Sequence, residues 1–599
     1  MKRKILATLL ALSLVLSLAP MTLAVGEEAL PDDPDYGFTY RFVTRDTIEI
    51  TSYYGYEAEV TVPSSIDGYT VVGIQSFHSV EGYSTPNKFV TKVILPDTVT
   101  YIADDAFYDD DDWSSQTHSE LREIILPEGL KTIGERAFFN NYNLQKVEIP
   151  ASVTEIGEGA FAACTNLSSI VFKGENTFLH GGAFGARTVY GVGSFAGKLN
   201  ELYQNWLYDD SASDFLIWQG QLLAYKGTSK TPVIPDSVKT IGAEAFWGAD
   251  ITGVTIPSGV REIGSYAFYD CEALTTVDIP GSVSLIGDNA FSGCKALKSL
   301  TLHEGLQTLG YSAFRDCEAL TSVVLPEGLT ECMDCVFNGC EALAQITFPN
   351  SLTKITLGDI GETEYYYALP DNAAIYCGSV FLGYKSDYPA KVTVRPGTKT
   401  VYLEYDLQGV NELVLPDGLK SLTIQYAGAE YCGITKLTVP ESVDYIDIHG
   451  MSNLTEIQLP QTAVLAEGCF SGCDQIRNLT IPKGNQTLYG LCIGRTQSLV
   501  LPDDVLEVRG PIGSALLKTI DLKNVRILAE GALSNCTALE SVTLPDSLVQ
   551  IGTNALSGCG SLRSVKGGKN VRTLGDDCFK DCPALADFGD LPKSVQMIG

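Results

Sequence analysis

The sequence predicts a β-rich solenoid of about twenty stacked units, each about 23 residues long, and three observations lead there. Lines begun at Pro257, Pro280, His303 and Pro326 are each 23 residues long and place the same residue types in the same columns. Three positions in stand Val260, Val283, Leu306 and Leu329, and six in stand Ile263, Ile286, Leu309 and Cys332. Further along come Phe268, Phe291, Phe314 and Phe337, then Cys271, Cys294, Cys317 and Cys340, then Leu274, Leu297, Leu320 and Leu343. Secondly, each line closes on alternation, as in Val277 and Ile279 or Leu300 and Leu302, which is the period of a half-buried strand. Thirdly, no stretch carries a long helical period. One such unit cannot bury its apolar edge alone, so neighbours must stack, each column becoming a ladder of like side chains. Gly264, Gly287 and Gly310, after the Ile column, are read as turn residues at positive φ, and the proline after each strand as a residue with no N–H to give.

The totals narrow the function. With 41 basic and 73 acidic residues the net charge is −32, which argues against holding nucleic acid or an anionic membrane by charge. A 599-residue chain would ordinarily split into several globular domains, but a repeat array escapes that rule because each unit touches only its neighbours.

Taken in order, residues 1–24 read as a secretory signal peptide: Lys2, Arg3 and Lys4 precede an apolar run from Ile5 to Ala19, and Thr22-Leu23-Ala24 supplies small residues for cleavage. No later stretch is apolar enough to span a bilayer. Residues 25–35 form an acidic linker and 36–95 an atypical N-terminal capping unit. Repeats occupy 96–173, where the spacing from Pro96 to Pro127 stretches to 31 and the extra residues hold Asp109 to Asp112, Trp113 and His118. Clustered carboxylates invite a calcium reading, but the alternating Asp-x-Asp-x-Asp-Gly spacing is missing and a solvated loop is expected. Residues 174–234 interrupt the repeat: Trp206-Leu207-Tyr208 precedes a hairpin with Phe215–Trp218 and Leu222–Lys226 flanking Gly220. Regular repeats resume over 235–357. A second hairpin interruption fills 358–395, with Ile375–Lys385 echoing the first, and the pair is expected to re-aim the solenoid or lengthen one face. Looser repeats run over 396–599 and stop in mid-unit at Val595, Ile598 and Gly599, so the natural protein is expected to continue.

Sixteen cysteines in an exported chain would suit a disulfide framework, yet Cys164, Cys271, Cys294, Cys317, Cys340, Cys473, Cys536, Cys559 and Cys582 share one column, and Cys432 joins them after a one-residue deletion. Neighbours in a parallel ladder lie about 5 Å apart with Cβ vectors side by side, a poor match to the disulfide dihedral, so most are expected to remain thiols packed as small apolar groups. Cys332, Cys335 and Cys340 hint at zinc, but two of the three are already claimed by repeat columns. The five histidines are unpaired in sequence, and no phosphate-binding loop or nucleophile elbow is present. No metal, no cofactor and no enzymatic activity are expected.

The line Pro-x-x-Val-x-x-Ile-Gly-x-x-Ala-Phe-x-x-Cys-x-x-Leu-x-x-Val-x-Ile, at Pro257–Ile279 and Pro280–Leu302, resembles the 23-residue leucine-rich repeats of BspA-type bacterial surface proteins. The resemblance covers nearly all of the mature chain. It implies a secreted or surface-attached protein that adheres to host or neighbouring-cell macromolecules, some members being associated with extracellular-matrix proteins; it transfers no catalytic residue. The expected partner is an extracellular protein or glycan, with a carbohydrate-binding or structural envelope role as the alternative. Two sets of residues are candidates for contact. On the strand face, Thr276, Asp278, Ser299 and Thr301 alternate with the buried ladder. Among the departures from the repeat, Trp206, Tyr208, Trp218, Tyr225, Trp247, Tyr365, Tyr366 and Tyr367 are rigid amphipathic groups suited to protein or sugar, with Trp206 to Tyr225 forming one patch. A merely solvated face, and packing beneath the insertions, are the competing readings.

Overall fold

The computed structural model describes residues 37–587, apart from 45, 54, 67, 78–88, 110–118, 176, 187–194, 210, 405–406, 426–431 and 513. The expected signal peptide and linker, Asp110 to Asp112, Trp113, His118 and the closing Val595, Ile598 and Gly599 lie outside these residues. The chain is a parallel β-solenoid of about 21 turns, and it divides after Ala368 into two compact units.

Each regular turn carries two short strands. The one expected from alternation is present, with Thr276–Ile279 pairing in parallel with Ser299–Leu302 so that Val277 lies beside Leu300. The other, two residues long, is centred on the Ile column: Glu262–Ile263, Leu285–Ile286, Thr308–Leu309 and Glu331–Cys332 pair successively in parallel. In the first unit an eight-stranded sheet, from Phe38–Phe42 to Phe178–Leu179, is followed by a seven-stranded sheet from Phe215–Trp218 to Glu331–Cys332. In the second unit a six-stranded sheet starts at Ala374–Cys377 and a five-stranded one at Thr487–Tyr489.

Between these strands a third ladder forms without regular secondary structure, because in the regular turns the backbone N–H of the Phe-column residue donates to the following turn: Phe268 to Ala290 O at 2.7 Å, Phe291 to Ala313 O at 2.8 Å. The rings consequently stack. Phe246, Phe268, Phe291, Phe314 and Phe337 lie with successive centroids 4.8, 4.9, 5.3 and 6.0 Å apart, and Phe107, Phe138, Phe161 and Phe184 do the same at 4.9 to 5.0 Å. Full burial of each ring contributes about 1.5–3 kcal/mol, and the aromatic contacts add to that.

The cysteine column also has a polar duty. Cys271, Cys294, Cys317 and Cys340 are thiols whose S–H groups donate to the carbonyls of Phe246, Phe268, Phe291 and Phe314 at 3.1 to 3.4 Å. Where the column holds Asn141 instead, its amide donates to Phe107 O at 2.7 Å. The column therefore selects a small side chain with one proton to offer.

Two expectations need correcting. Gly264, Gly287 and Gly310 are absent from the positive-φ residues; a Cβ at Gly287 would lie 2.7 Å from Ser265 N, and one at Gly310 2.6 Å from Asp288 N. Glycine stands there because the preceding turn's backbone leaves no room for a side chain. Nor is the chain without a helix: Gly197–Leu207 is helical, burying Leu199 and Trp206. Its Ala196 N-cap makes no side-chain hydrogen bond and its first turn carries no acid, so it has none of the usual start signals.

Candidate binding faces

The strand face positions its side chains by register alone. In Thr276–Ile279, Val277 and Ile279 point into the core while Thr276 and Asp278 are exposed, and in the next turn Ser299 and Thr301 stand beside them. Asp278 also reaches His303, with Oδ1 2.8 Å from Nε2. Elsewhere the same face is laced by ion pairs: Lys92 with Glu123 at 3.0 Å, Lys146 with Glu148 at 2.5 Å, and Lys173 with Glu128 at 2.9 Å. The hydrogen bond from Lys146 holds the Glu148 carboxyl below its ordinary range, and Glu128 raises Lys173. Exposed pairs of this kind contribute little to stability; their consequence here is a face of fixed, alternating charge. Ile125, Val171 and Val324 are exposed apolar members of it.

The aromatic candidates separate into two groups. Trp206 and Tyr225 are buried: the Trp206 indole donates to Ser213 O at 2.7 Å, Lys226 Nζ lies 4.7 Å over its ring, and the Tyr225 hydroxyl donates to Ser229 O at 3.2 Å. They lock the helix to the hairpin and offer no open aromatic face, which leaves Tyr208 the most exposed aromatic of that segment. Trp218 is half-buried against Phe172 and Phe184, with Phe184 5.2 Å away. Trp247 is half-buried near Tyr269. Tyr365 and Tyr366 are half-buried, Tyr365 meeting Phe348 edge-on at 5.8 Å. Tyr208 and Tyr367, 80% and 60% exposed, are open to solvent.

Two of the three cysteines that hint at zinc are packed into the repeat ladders. Cys332 lies buried in the Ile ladder, Cys340 donates to Phe314 O, and Cys335 is half-exposed at φ 65°. Asp109 is buried and accepts the Ser119 N–H at 2.8 Å. Among the described residues no group of three or more His, Cys, Asp and Glu side chains is arranged to hold a metal ion, and no helix is long and apolar enough to cross a membrane.

Sequence reasoning missed one polar cluster altogether. His180 lies between Glu155 and Glu262, with Nε2 and Nδ1 each 2.6 Å from a carboxylate oxygen. No signal in the sequence pointed to it, since Glu262 lies 82 positions beyond His180.

Parallel strands of fixed register, buried Leu, Ile and Phe ladders and an open strand face define a leucine-rich-repeat solenoid. The BspA type leucine-rich repeat region matches residues 78–211, 225–358, 405–500 and 513–599, in six copies, and the chain belongs to that family. Solved structures similar to it include a leucine-rich repeat protein from Bacteroides ovatus, 22% identical over 63% of this chain and 94% of that one, with a TM-score of 0.26. A leucine-rich cell surface protein from Faecalibacterium prausnitzii is 18% identical over 96% of this chain and 95% of its own, with a TM-score of 0.18. The leucine-rich repeat protein of T. pallidum is 22% identical over 53% and 91%, with a TM-score of 0.20. No curated protein matches the chain.

Proposed function

We propose that the chain is a secreted or surface-attached scaffold that binds an extracellular protein across its strand face and so mediates adhesion. The observation that carries this reading is the exposed ladder of Thr276, Asp278, Ser299 and Thr301, held in register by main-chain pairing. The main chain beneath them is ordered before a partner arrives, so little backbone conformational entropy remains to be lost on binding. Membership of the BspA-type family supports it, and residues 1–24 would carry the chain into the export pathway. N-terminal sequencing of protein exported by its own host should begin at Val25.

The binding test uses the chain from Val25 onward on immobilised extracellular-matrix proteins and on a glycan array. The expected result is saturable binding to a protein, weakened at least tenfold when Thr276, Asp278, Ser299 and Thr301 are all replaced by alanine. Glycan binding that survives this replacement would move the assignment to a carbohydrate-binding envelope component. The exposed Tyr208 and Tyr367 favour that second reading, and their alanine variants would then be the ones to fail.

A further inference from the structure

Within the first unit, the last described turns of the first stack touch the side of the second through side chains. Beyond strand Phe178–Leu179, the turn at His180 and Gly181 lies against strands Gln221–Tyr225, Thr240–Ile241 and Glu262–Ile263. Thr240 Oγ1 donates to Leu179 O at 2.9 Å, the Gln221 amide donates to His180 O at 2.8 Å, and the Gly181 N–H donates to Glu262 Oε1 at 2.6 Å. Backbones abut here, since a Cβ on Gly181 would lie 2.5 Å from Gly264 Cα. Farther along, Ser265 Oγ donates to Glu158 Oε2 at 3.0 Å.

At the centre stands the His180 ring, with Glu155 of its own stack at one nitrogen and Glu262 of the other stack at the second, both at 2.6 Å. A neutral imidazole has one N–H and one lone pair, so one of these approaches would set a lone pair against a carboxylate oxygen. Only the imidazolium donates to both.

We propose that this contact is an acid-dependent latch, closed around protonated His180 and released when the proton leaves. Burial opposes the charge on His180, but Glu262 and Glu155 outweigh it and lift the ring well above its ordinary 6.5. Other groups face the same seam: Glu135 and Glu158 from the first stack, with Asp104, Asp105 and Arg136 beside Glu135, and Arg261, Glu244, Tyr266 and Asp288 from the second, Arg261 lying 5.9 Å over the Phe178 ring. Burial raises the carboxyls of Glu158, Glu135 and Asp288 above their usual range, so they too close the seam more readily as protons bind. A raised value in the closed form means that the His180 contribution is complete below 6.5 and is lost as pH rises through the raised value. Glu155 works at the other end: the His180 hydrogen bond lowers it below 4.5, so its share is lost as pH falls through that lowered value. The latch therefore holds in mildly acidic solution and opens on the alkaline side.

The test is hydrogen exchange at the Gly181 amide in the chain from Val25 onward, corrected for intrinsic exchange. His180 should make protection fall by about tenfold for each pH unit between 6.5 and the raised imidazole value, the slope of one linked proton, and the fall should level off above that value. His180→Gln should remove the part of the slope that His180 contributes, leaving only that of the buried carboxyls, and Glu262→Gln, which removes one carboxylate, should move its upper end to lower pH. Unchanged protection of Thr276–Ile279 in both variants shows that the fold is intact. Protection of wild-type Gly181 that does not vary with pH, or a slope as steep in His180→Gln as in the wild type, would overturn the proposal.

Discussion

Replacing Phe291 by alanine tests whether the stacked rings hold the solenoid together. Phe291 is fully buried, and its ring lies nearly parallel to Phe268 at 4.9 Å and to Phe314 at 5.3 Å. Truncating a core phenylalanine costs about 3–5 kcal/mol, of which the two ring neighbours account for about 0.5–1.5 kcal/mol each. Phe337 is an internal control: it is equally buried, but among the described residues its one ring neighbour is Phe314, at 6.0 Å. Phe337→Ala should therefore cost about 0.5–1.5 kcal/mol less. A repeat array need not unfold in one step, so a single global midpoint would blur the effect. Native-state hydrogen exchange of Ser299–Leu302 reads the local opening instead. At about 1.4 kcal/mol per factor of ten, Phe291→Ala should speed exchange there by roughly two to nearly four orders of magnitude. An effect below tenfold, or one equal to that of Phe337→Ala on its own turn, would refute the idea that ring stacking couples neighbouring turns.

Other expectations follow from the same ladders. Gly310→Ala forces a Cβ to within 2.6 Å of Asp288 N; overpacking against backbone costs about 1–3 kcal/mol, and thermal denaturation should show a clear loss. If that loss is absent, the close approach is not what demands glycine. Cys294→Ser keeps a proton for Phe268 O while Cys294→Ala does not, so the alanine variant should melt lower, by about 1 kcal/mol of hydrogen bond; the reverse order would show that sulfur packing alone matters. Burial raises the thiols of Cys294 and Cys317 well above their usual value, so native alkylation at mildly alkaline pH should begin at the half-exposed Cys335, Cys492 and Cys582 and spare the buried column. Mass spectrometry of the labelled peptides would decide it.

The repeat columns were legible because repetition is a signal independent of local propensity: Val260, Ile263, Phe268 and Leu274 recur whatever each prefers alone. The strand at Thr276–Ile279 followed from its alternation. The two-residue strand at Glu262–Ile263 did not, since two residues carry no period. Helix Gly197–Leu207 escaped because it lies where the repeat lapses and lacks capping and charge signals at its start. For the aromatics, sequence supplies amphipathic character but not which face is covered. Trp206 and Tyr208 are two positions apart, yet one lies against Ser213 and Lys226 and the other in solvent. The His180 cluster joins residues far apart in sequence, and no local pattern encodes such a meeting.

The matched register of successive turns also bears on how a gene of this kind can change. Thr276 pairs with Ser299, and Leu285 with Thr308, across the same offset. Unequal recombination that duplicates or deletes one whole unit therefore leaves every strand, ring and thiol facing its proper counterpart, and the protein lengthens or shortens without new surfaces to accommodate. An insertion of a single codon inside a strand instead turns every later side chain of that strand to the opposite face. Length is thus the inexpensive variable for this architecture, and the sequence within a turn the constrained one.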